Sequence, residues 1–222
     1  MKLEDFFRGL YSQTRLIDID DRRVVVKCYS SSTSFKWYLI SPAFRRYPYT
    51  SDPLERMNRE INFFTFNWRD KIKVPNIIDF DVKTLCLYRN FIDGNEIVQK
   101  EQFRELGDAL RYIHEKNFAL GDTKIENFVY NEKISVIDAE QSIQTSNISY
   151  FAWDLLVLAF SMSYKFIKDP YLFYENYDAV LEGYALNKEI AKELLNFNNL
   201  PILTLIPFTH YNYFKKVVEK FL

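Results

Sequence analysis

The chain has 222 residues, and its 29 Lys and Arg against 30 Asp and Glu give a formal net charge of −1. This balance provides no overall basic surface for nucleic acid. Hydrophobic residues make up 48% and charged residues 27% of the chain, which excludes intrinsic disorder, a collagen-like repeat and a disulfide scaffold. Only 5 residues are glycine, so any phosphate-binding loop must work without a run of glycines.

The cysteines and histidines indicate no metal site. Cys28 and Cys86 are isolated, and His114 and His210 are far apart, so no ligand spacing typical of zinc is present. We expect all four to be ordinary core or surface residues. The longest apolar runs are much shorter than the roughly 20 residues that a membrane-spanning helix needs. These observations predict a cytoplasmic protein with no membrane contact.

The first ninety residues predict a small sheet with one helix. Strands are expected at 15–19, 22–29, 77–81 and 84–91. The first two would form a hairpin, because the second contains three consecutive valines. Asp52 followed by Pro53 predicts a helix start, and apolar residues then recur at helical spacing as far as Phe64. The strongest break in the chain follows at 92–95.

The remaining residues predict mainly helices. We expect helices at 96–117, 151–164, 171–184 and 188–196, and a last one ending at Leu222. Between the first two helices lie an irregular segment, 118–127, and a small hairpin, 128–137. A sheet with one helix followed by a mainly helical part predicts an α+β fold with two lobes, 1–92 and 93–222, in a single domain.

The irregular segment carries the residues that predict chemistry. Asp122 is followed by Lys124 and Asn127, and an apolar strand ends at Asp138, eleven residues after the asparagine. An aspartate can orient an attacking hydroxyl, and a lysine beside it offsets charge on a transferred phosphoryl group. Amide and carboxylate oxygens are ligands that Mg²⁺ prefers. The pattern predicts phosphoryl transfer, with Asp122 and Lys124 as catalytic residues and Asn127 and Asp138 as metal ligands.

The same pattern resembles the catalytic loop and metal-binding strand of eukaryotic-type protein kinases. The strand 24–27, which ends in Lys27, looks like the one that carries the nucleotide-binding lysine. Glu60, after Arg59, looks like the helix glutamate that pairs with it. The chain is most similar to the small atypical kinases, namely the RIO group and the kinase of the KEOPS complex (the PRPK-like family), over about residues 10 to 185.

This resemblance implies a bilobal protein-kinase-like fold. It would have a small β-rich N-lobe with one main helix and a reduced, mainly helical C-lobe. The cofactors would be ATP and Mg²⁺ or Mn²⁺. Ser12 and Thr14 would replace the missing glycine-rich loop with hydroxyl donors. The implied nucleotide-binding residues are Lys27, Glu60, Ser12, Thr14 and the hinge residues Asn90, Phe91 and Ile92. The resemblance also implies that Asp154 caps backbone N–H groups of the catalytic loop.

Several positions depart from the kinase pattern. Leu120 stands where the catalytic loop usually has histidine, and Ala139-Glu140 follows Asp138 in place of Phe-Gly, so we expect no in/out switch of that strand. Arg89 precedes the hinge and would crowd the adenine pocket or pair with Glu60. Too few residues follow Asp138 for a full activation segment with a peptide-docking shelf.

Four functions fit these residues. The first is an autophosphorylating Ser/Thr protein kinase with a protein substrate. The second is an ATPase or switch subunit of a KEOPS-like tRNA-modification complex, without direct nucleic-acid binding of its own. The third is a small-molecule phosphotransferase, against which Lys124 argues, because such enzymes usually lack a lysine there. The fourth is a pseudokinase that binds a partner.

Overall fold

The computed structural model describes residues 13–19, 22–29 and 44–222. Ser12 and Asp20-Asp21, the two residues between the first two predicted strands, therefore lie outside the described residues. The N-terminal part forms a four-stranded antiparallel sheet in the order β1-β2-β4-β3. Its strands are β1 (Thr14–Ile19), β2 (Arg22–Cys28), β3 (Ile77–Asp81) and β4 (Cys86–Asn90). The predicted hairpin and the two later strands are confirmed.

Helix α1 (Pro53–Thr65) covers one face of this sheet. The Asp52 side chain accepts a hydrogen bond from the Glu55 backbone N–H at 2.8 Å, which caps the helix start as the sequence predicts. Met57 is fully buried against Tyr29 and Leu87 of the sheet. The polar residues Arg56 and Glu60 lie on the same buried face of α1, so this face needs charged partners as well as apolar ones.

The C-terminal part consists mainly of helices. They are α2 (Lys100–Glu115), α3 (Ile148–Lys165), α4 (Pro170–Tyr184), α5 (Lys188–Leu194), α6 (Leu200–Leu203) and α7 (Phe208–Glu219). Four short strands form two small antiparallel pairs, β5 with β8 and β6 with β7. These strands are β5 (Phe118–Ala119), β6 (Phe128–Asn131), β7 (Lys133–Val136) and β8 (Ile143–Gln144).

Helix α3 is the central element of the C-terminal part. Twelve of its residues are buried, and they lie on every side of the helix, as expected for a helix surrounded by protein. Among the described residues, no helix is long and apolar enough to cross a membrane.

Helix α2 begins at Lys100 rather than at Glu96, where the sequence predicted it. Asn95 forms two backbone hydrogen bonds with Tyr130 of β6, each 2.9 Å long. The first four predicted helical residues, 96–99, follow this pairing and are not helical, and Gln99 itself has extended backbone. The Gln102 side chain then accepts a hydrogen bond from the Gln99 backbone N–H at 3.0 Å, and the helix starts there.

Cys28 and Cys86 form a disulfide, which corrects the prediction that they are ordinary core or surface residues. They lie directly opposite each other on β2 and β4, with their Cα atoms 4.1 Å apart. The 58-residue separation hides this pairing in the sequence, because only the strand register brings the two residues together. Disulfides are typical of oxidising compartments and of intracellular proteins from hyperthermophiles.

Two glycines allow α2 and α4 to contact each other backbone to backbone. A Cβ atom at Gly107 would lie 2.0 Å from the Val180 carbonyl oxygen, and one at Gly183 would lie 1.9 Å from the Arg104 carbonyl oxygen. Neither backbone can move without separating the helices. This close packing also places His114, near the end of α2, beside Tyr184 at the end of α4.

We expect Gly107→Ala to destabilise the protein by roughly 3 kcal/mol, because overpacking against rigid backbone is costly. Helix propensity alone predicts the opposite sign, a gain of about 1 kcal/mol. Urea denaturation of the variant and of wild type measures the difference. Asn58→Ala, at an exposed position of α1, is the control and should change stability by less than about 0.5 kcal/mol. A Gly107→Ala protein as stable as wild type would contradict the close contact.

Candidate active site

Asp154 of α3 binds the backbone of the loop that carries Asp122. Asp154 is fully buried, and its two carboxylate oxygens accept hydrogen bonds from the backbone N–H groups of Leu120 and Gly121, both at 2.7 Å. The Thr123 hydroxyl donates to the Asp154 carbonyl oxygen. The expected capping role of Asp154 is thus confirmed, and this buried carboxylate orients the loop just before Asp122.

His114 completes this support, and the sequence analysis did not assign it a role. Its Nε2 lies 3.0 Å from an Asp154 carboxylate oxygen, and its Nδ1 lies 2.7 Å from the Tyr184 hydroxyl. A carboxylate only accepts, so Nε2 carries the proton, and in the neutral ring Nδ1 accepts from Tyr184. Leu120 occupies the usual histidine position, and the imidazole comes from α2 instead. The sequence feature that could have indicated this role is a histidine on the predicted buried face of that helix.

The segment before α1 packs against the same loop. Gly121 has a positive φ of 75°, and a Cβ atom there would lie 2.3 Å from the Tyr47 ring. The Tyr47 hydroxyl donates to the Ala119 and Gln141 carbonyl oxygens at 3.1 and 2.9 Å. The Tyr49 hydroxyl donates to the Gly121 carbonyl oxygen at 2.5 Å. Residue 121 must therefore be glycine, because the positive φ disfavours other residues and because the Tyr47 ring leaves no room for a Cβ atom.

Gln141 joins this segment to the residues after Asp138. The Gln141 side-chain amide accepts from the Thr50 backbone N–H at 3.0 Å and donates to the Thr50 carbonyl oxygen at 2.9 Å. Residues 139–147 are all that separates Asp138 from α3. The volume beside the catalytic loop is filled from the N-terminal side, by the segment 44–50.

Three of the four predicted catalytic and metal-binding residues lie together in the loop. The Lys124 ammonium is 2.9 Å from an Asp122 carboxylate oxygen. The Asn127 side chain donates through Nδ2 to the Asp122 carbonyl oxygen at 2.6 Å, which orients its amide oxygen as a candidate ligand. The Ile137 backbone N–H donates to the Asn127 carbonyl oxygen at 3.0 Å, so the fourth residue, Asp138, follows immediately beside Asn127.

Lys27 connects the sheet to this loop. Its ammonium lies 2.6 Å from Glu60, 2.9 Å from Asp138 and 3.1 Å from Glu140. Carboxylate oxygens of these three acids all lie within 4.8 Å of one another. Lys27 is 2% exposed and Glu60 is fully buried. The Lys27–Glu60 pair that the sequence predicted is thus formed, and Asp138 joins it.

Burial and charge shift the ionisation of this group in opposite directions. Burial alone would lower the pKa of Lys27, but the carboxylates of Asp138, Glu140 and Glu60 outweigh it and hold this pKa above its usual range. Burial raises the pKa of Glu60, and Lys27 counteracts that effect. Burial and the Glu60 charge raise the pKa of Tyr29, so its hydroxyl remains a donor to Glu60.

Glu140 and Arg56 belong to the same network, and the sequence analysis did not identify either as a site residue. The Arg56 guanidinium donates to Glu140 at 2.8 Å, and the Gln13 amide donates to it at 2.8 Å. Burial would raise the pKa of Glu140, but Lys27 and Arg56 hold it below its usual range. Arg56 and Glu60 are four residues apart on α1, so both side chains reach the same cluster.

The predicted hinge residues lie at the end of β4. Arg89 is buried, donates to the Ile137 carbonyl oxygen at 2.8 Å and is near enough to Glu60 to lower its pKa. The Asn90 side chain accepts from the Asn76 backbone N–H at 2.5 Å. The Phe91 ring lies under the Arg23 guanidinium, 4.2 Å away.

Two other predicted nucleotide-binding residues, Thr14 and Ile92, also have described positions. Ile92 is half-buried and follows Phe91 outside any helix or strand. Thr14 of β1 lies opposite Lys27 of β2, on the same face of the sheet.

No protein-family model matches the chain, and no curated protein sequence matches it. Among solved structures, the choline kinase LicA from Streptococcus pneumoniae matches over 98% of this chain and 96% of that chain, with a TM-score of 0.53 and 12% sequence identity. WaaP in complex with acyl carrier protein matches over 87% of this chain and 85% of that chain, with a TM-score of 0.49 and 14% identity. The chain has the protein-kinase-like fold that the sequence predicted, with a small sheet-containing N-lobe and a helical C-lobe.

We expect Glu140→Gln to destabilise the protein by about 3 kcal/mol at pH 7, because it breaks a buried charge network. The Glu140 pKa is lowered on folding, so this carboxylate contributes stability that is fully present above the ordinary glutamate pKa of about 4.3 and is lost as pH falls further. The difference between variant and wild type should therefore shrink below that pH. Urea denaturation at several pH values measures it.

The matched control is Glu55→Gln, on the same helix. Glu55 forms an exposed ion pair with Arg59, so its loss should cost less than about 1 kcal/mol. Equal losses in the two variants, or a Glu140→Gln effect that does not change with pH, would contradict the assignment of Glu140 to the buried network.

Proposed function

We propose that this protein is an ATP-dependent phosphotransferase of the small atypical kinase type, which transfers the terminal phosphoryl group to Ser or Thr hydroxyls of a protein. One observation carries the proposal. The buried Lys27–Glu60 pair, Asp138 and the Asp122 loop lie in one connected network, although they come from distant parts of the chain. This set combines a phosphate anchor, metal ligands and a hydroxyl-orienting carboxylate, the groups that phosphoryl transfer needs.

The donor set around Asp138 fits a magnesium ion. Asp138 offers a carboxylate that is one-third exposed, and Asn127 offers an amide oxygen beside it. Mg²⁺ binds through one or two carboxylates and phosphate oxygens and keeps several waters, so a sparse oxygen set of this kind suits it. When bound with ATP, the ion would neutralise charge on the phosphates.

The remaining steps fall to the chain's own residues. Lys27 would contact the phosphates from the sheet side, with Glu60 and Tyr29 keeping its ammonium in place. Asp122 would orient the acceptor hydroxyl and accept its proton, and Lys124 would offset charge on the transferred group. Arg89, Asn90, Phe91, Ile92 and Thr14 would border the nucleotide site, between an N-lobe of residues 1–92 and a C-lobe of residues 93–222.

We expect Asp122→Asn to lower phosphoryl transfer by at least about 100-fold, because it removes the group that orients the hydroxyl and accepts its proton. The assay measures transfer of label from γ-labelled ATP with Mg²⁺ or Mn²⁺ to the protein itself and to a generic protein substrate. Glu126→Gln, an exposed acid of the same loop, is the control and should keep wild-type activity.

Other outcomes of this assay separate the alternative functions. Phosphate release that depends on Asp122, with no label on protein, would favour an ATPase or switch subunit of a KEOPS-like complex and contradict transfer to protein. If there is neither transfer nor phosphate release, and ATP does not raise the melting temperature, the chain is a pseudokinase and the proposal is wrong.

A further inference from the structure

A small pocket opens beside the catalytic loop. It has a volume of about 80 Å³ and contains Asp122 and Lys124 in its wall. The other lining residues are all apolar or aromatic: Phe44, Tyr49, Trp153, Val157, Phe160, Ile202 and Leu205. Because an apolar cavity of about 150 Å³ binds benzene, this pocket takes a group smaller than a benzene ring, such as a compact aliphatic side chain. A group that enters it must carry little polarity except near Asp122.

The aromatic walls are held in place by their own polar atoms. The Trp153 indole N–H donates to the Tyr49 hydroxyl at 2.8 Å, and this hydroxyl donates to the Gly121 carbonyl oxygen. The Phe44 ring packs on Trp153 with its centroid 5.7 Å away. Since these bonds occupy the hydroxyl and the indole N–H, the rings present carbon to the pocket. The pocket is therefore rigid and apolar on this side.

The opposite wall comes from the chain around α6. Ile202 and Leu205 lie three residues apart, on one side of the segment 200–206. The Tyr164 hydroxyl of α3 donates to the Leu205 carbonyl oxygen at 3.0 Å, which fixes this segment against the central helix. Leu205 itself remains 42% exposed at the rim of the pocket.

A second, larger apolar groove lies along the same segment. It has a volume of about 380 Å³ and is lined by Leu200, Leu203, Thr204, Ile206, Phe208 and Tyr211. Phe208 is 78% exposed. Exposed apolar surface of this kind marks interaction sites. A small molecule that fills the first pocket would leave this groove unused, whereas an extended polypeptide can contact both sides of the segment.

We propose that this pocket selects the acceptor by the residue next to the acceptor hydroxyl, an inference that rests on the proposed function. The substrate is a polypeptide segment in which a Ser or Thr is adjacent to a compact aliphatic residue. The aliphatic side chain occupies the pocket while the hydroxyl lies at Asp122. The hydroxyl oxygen forms the new bond to the γ-phosphorus as the bond to the β–γ bridging oxygen breaks, ADP leaves, and Asp122 accepts the hydroxyl proton.

Peptide arrays with a fixed Ser or Thr and varied neighbours test this substrate preference. We expect wild type to phosphorylate peptides with Val, Leu or Ile at one adjacent position about 10-fold faster than peptides with Ser or Gln there, which is the discrimination a small apolar pocket provides. Leu205→Arg should abolish this preference and favour Glu at the same position. Leu172→Arg, at a 39% exposed position of α4 outside both cavities, is the matched control and should keep the wild-type preference.

The outcomes distinguish this inference from the proposed function. If wild type phosphorylates peptides without preferring an aliphatic neighbour, or if Leu205→Arg retains the wild-type preference, the pocket does not select the substrate and only this inference is overturned. If hydroxylated small molecules are phosphorylated and no peptide is, both this inference and transfer to protein are overturned, and only ATP-dependent phosphoryl transfer remains. If wild type transfers label to no acceptor and releases no phosphate, the proposed function itself is wrong.

Discussion

The buried ammonium of Lys27 is the interaction on which the arrangement of the site depends. A buried charge is costly unless it is paired, and here three carboxylates from α1 and from the residues after β7 surround one lysine of β2. Without the ammonium, those carboxylates would repel one another at close range. The cluster therefore holds the sheet, α1 and the segment after β7 in one relative position. Arg56 strengthens the arrangement by giving Glu140 a second cation.

A second group of interactions, made of hydrogen bonds around Asp154, holds the Asp122 loop in place. Asp154 orients the backbone just before Asp122, and His114 with Tyr184 orients Asp154. That arrangement in turn relies on the backbone contact between α2 and α4 at Gly107. The Asp122 loop is thus attached to α3, which has twelve buried residues, and through His114 and Tyr184 to α2 and α4.

Further contacts hold the residues around the Asp122 loop. The segment 44–50 fills the volume beside the loop and is bonded to Ala119, Gly121 and Gln141. Glu140, two residues after Asp138, takes part in the ion-pair cluster. Under the proposed function, this fixed arrangement would leave substrate selection to the shape and polarity of the surface next to Asp122.

The sequence by itself determined the elements and the order of the site residues, because helical and strand periodicity, the Asp52 cap and the spacing from Asp122 to Asp138 are local patterns. It also predicted the Lys27–Glu60 pair through family resemblance. Only the tertiary structure decided the Cys28–Cys86 disulfide, the later start of α2, the role of His114 and the joining of Glu140 to Arg56. Each of these depends on strand register or helix packing between distant segments, and periodicity along the chain does not encode which distant partner a side chain meets.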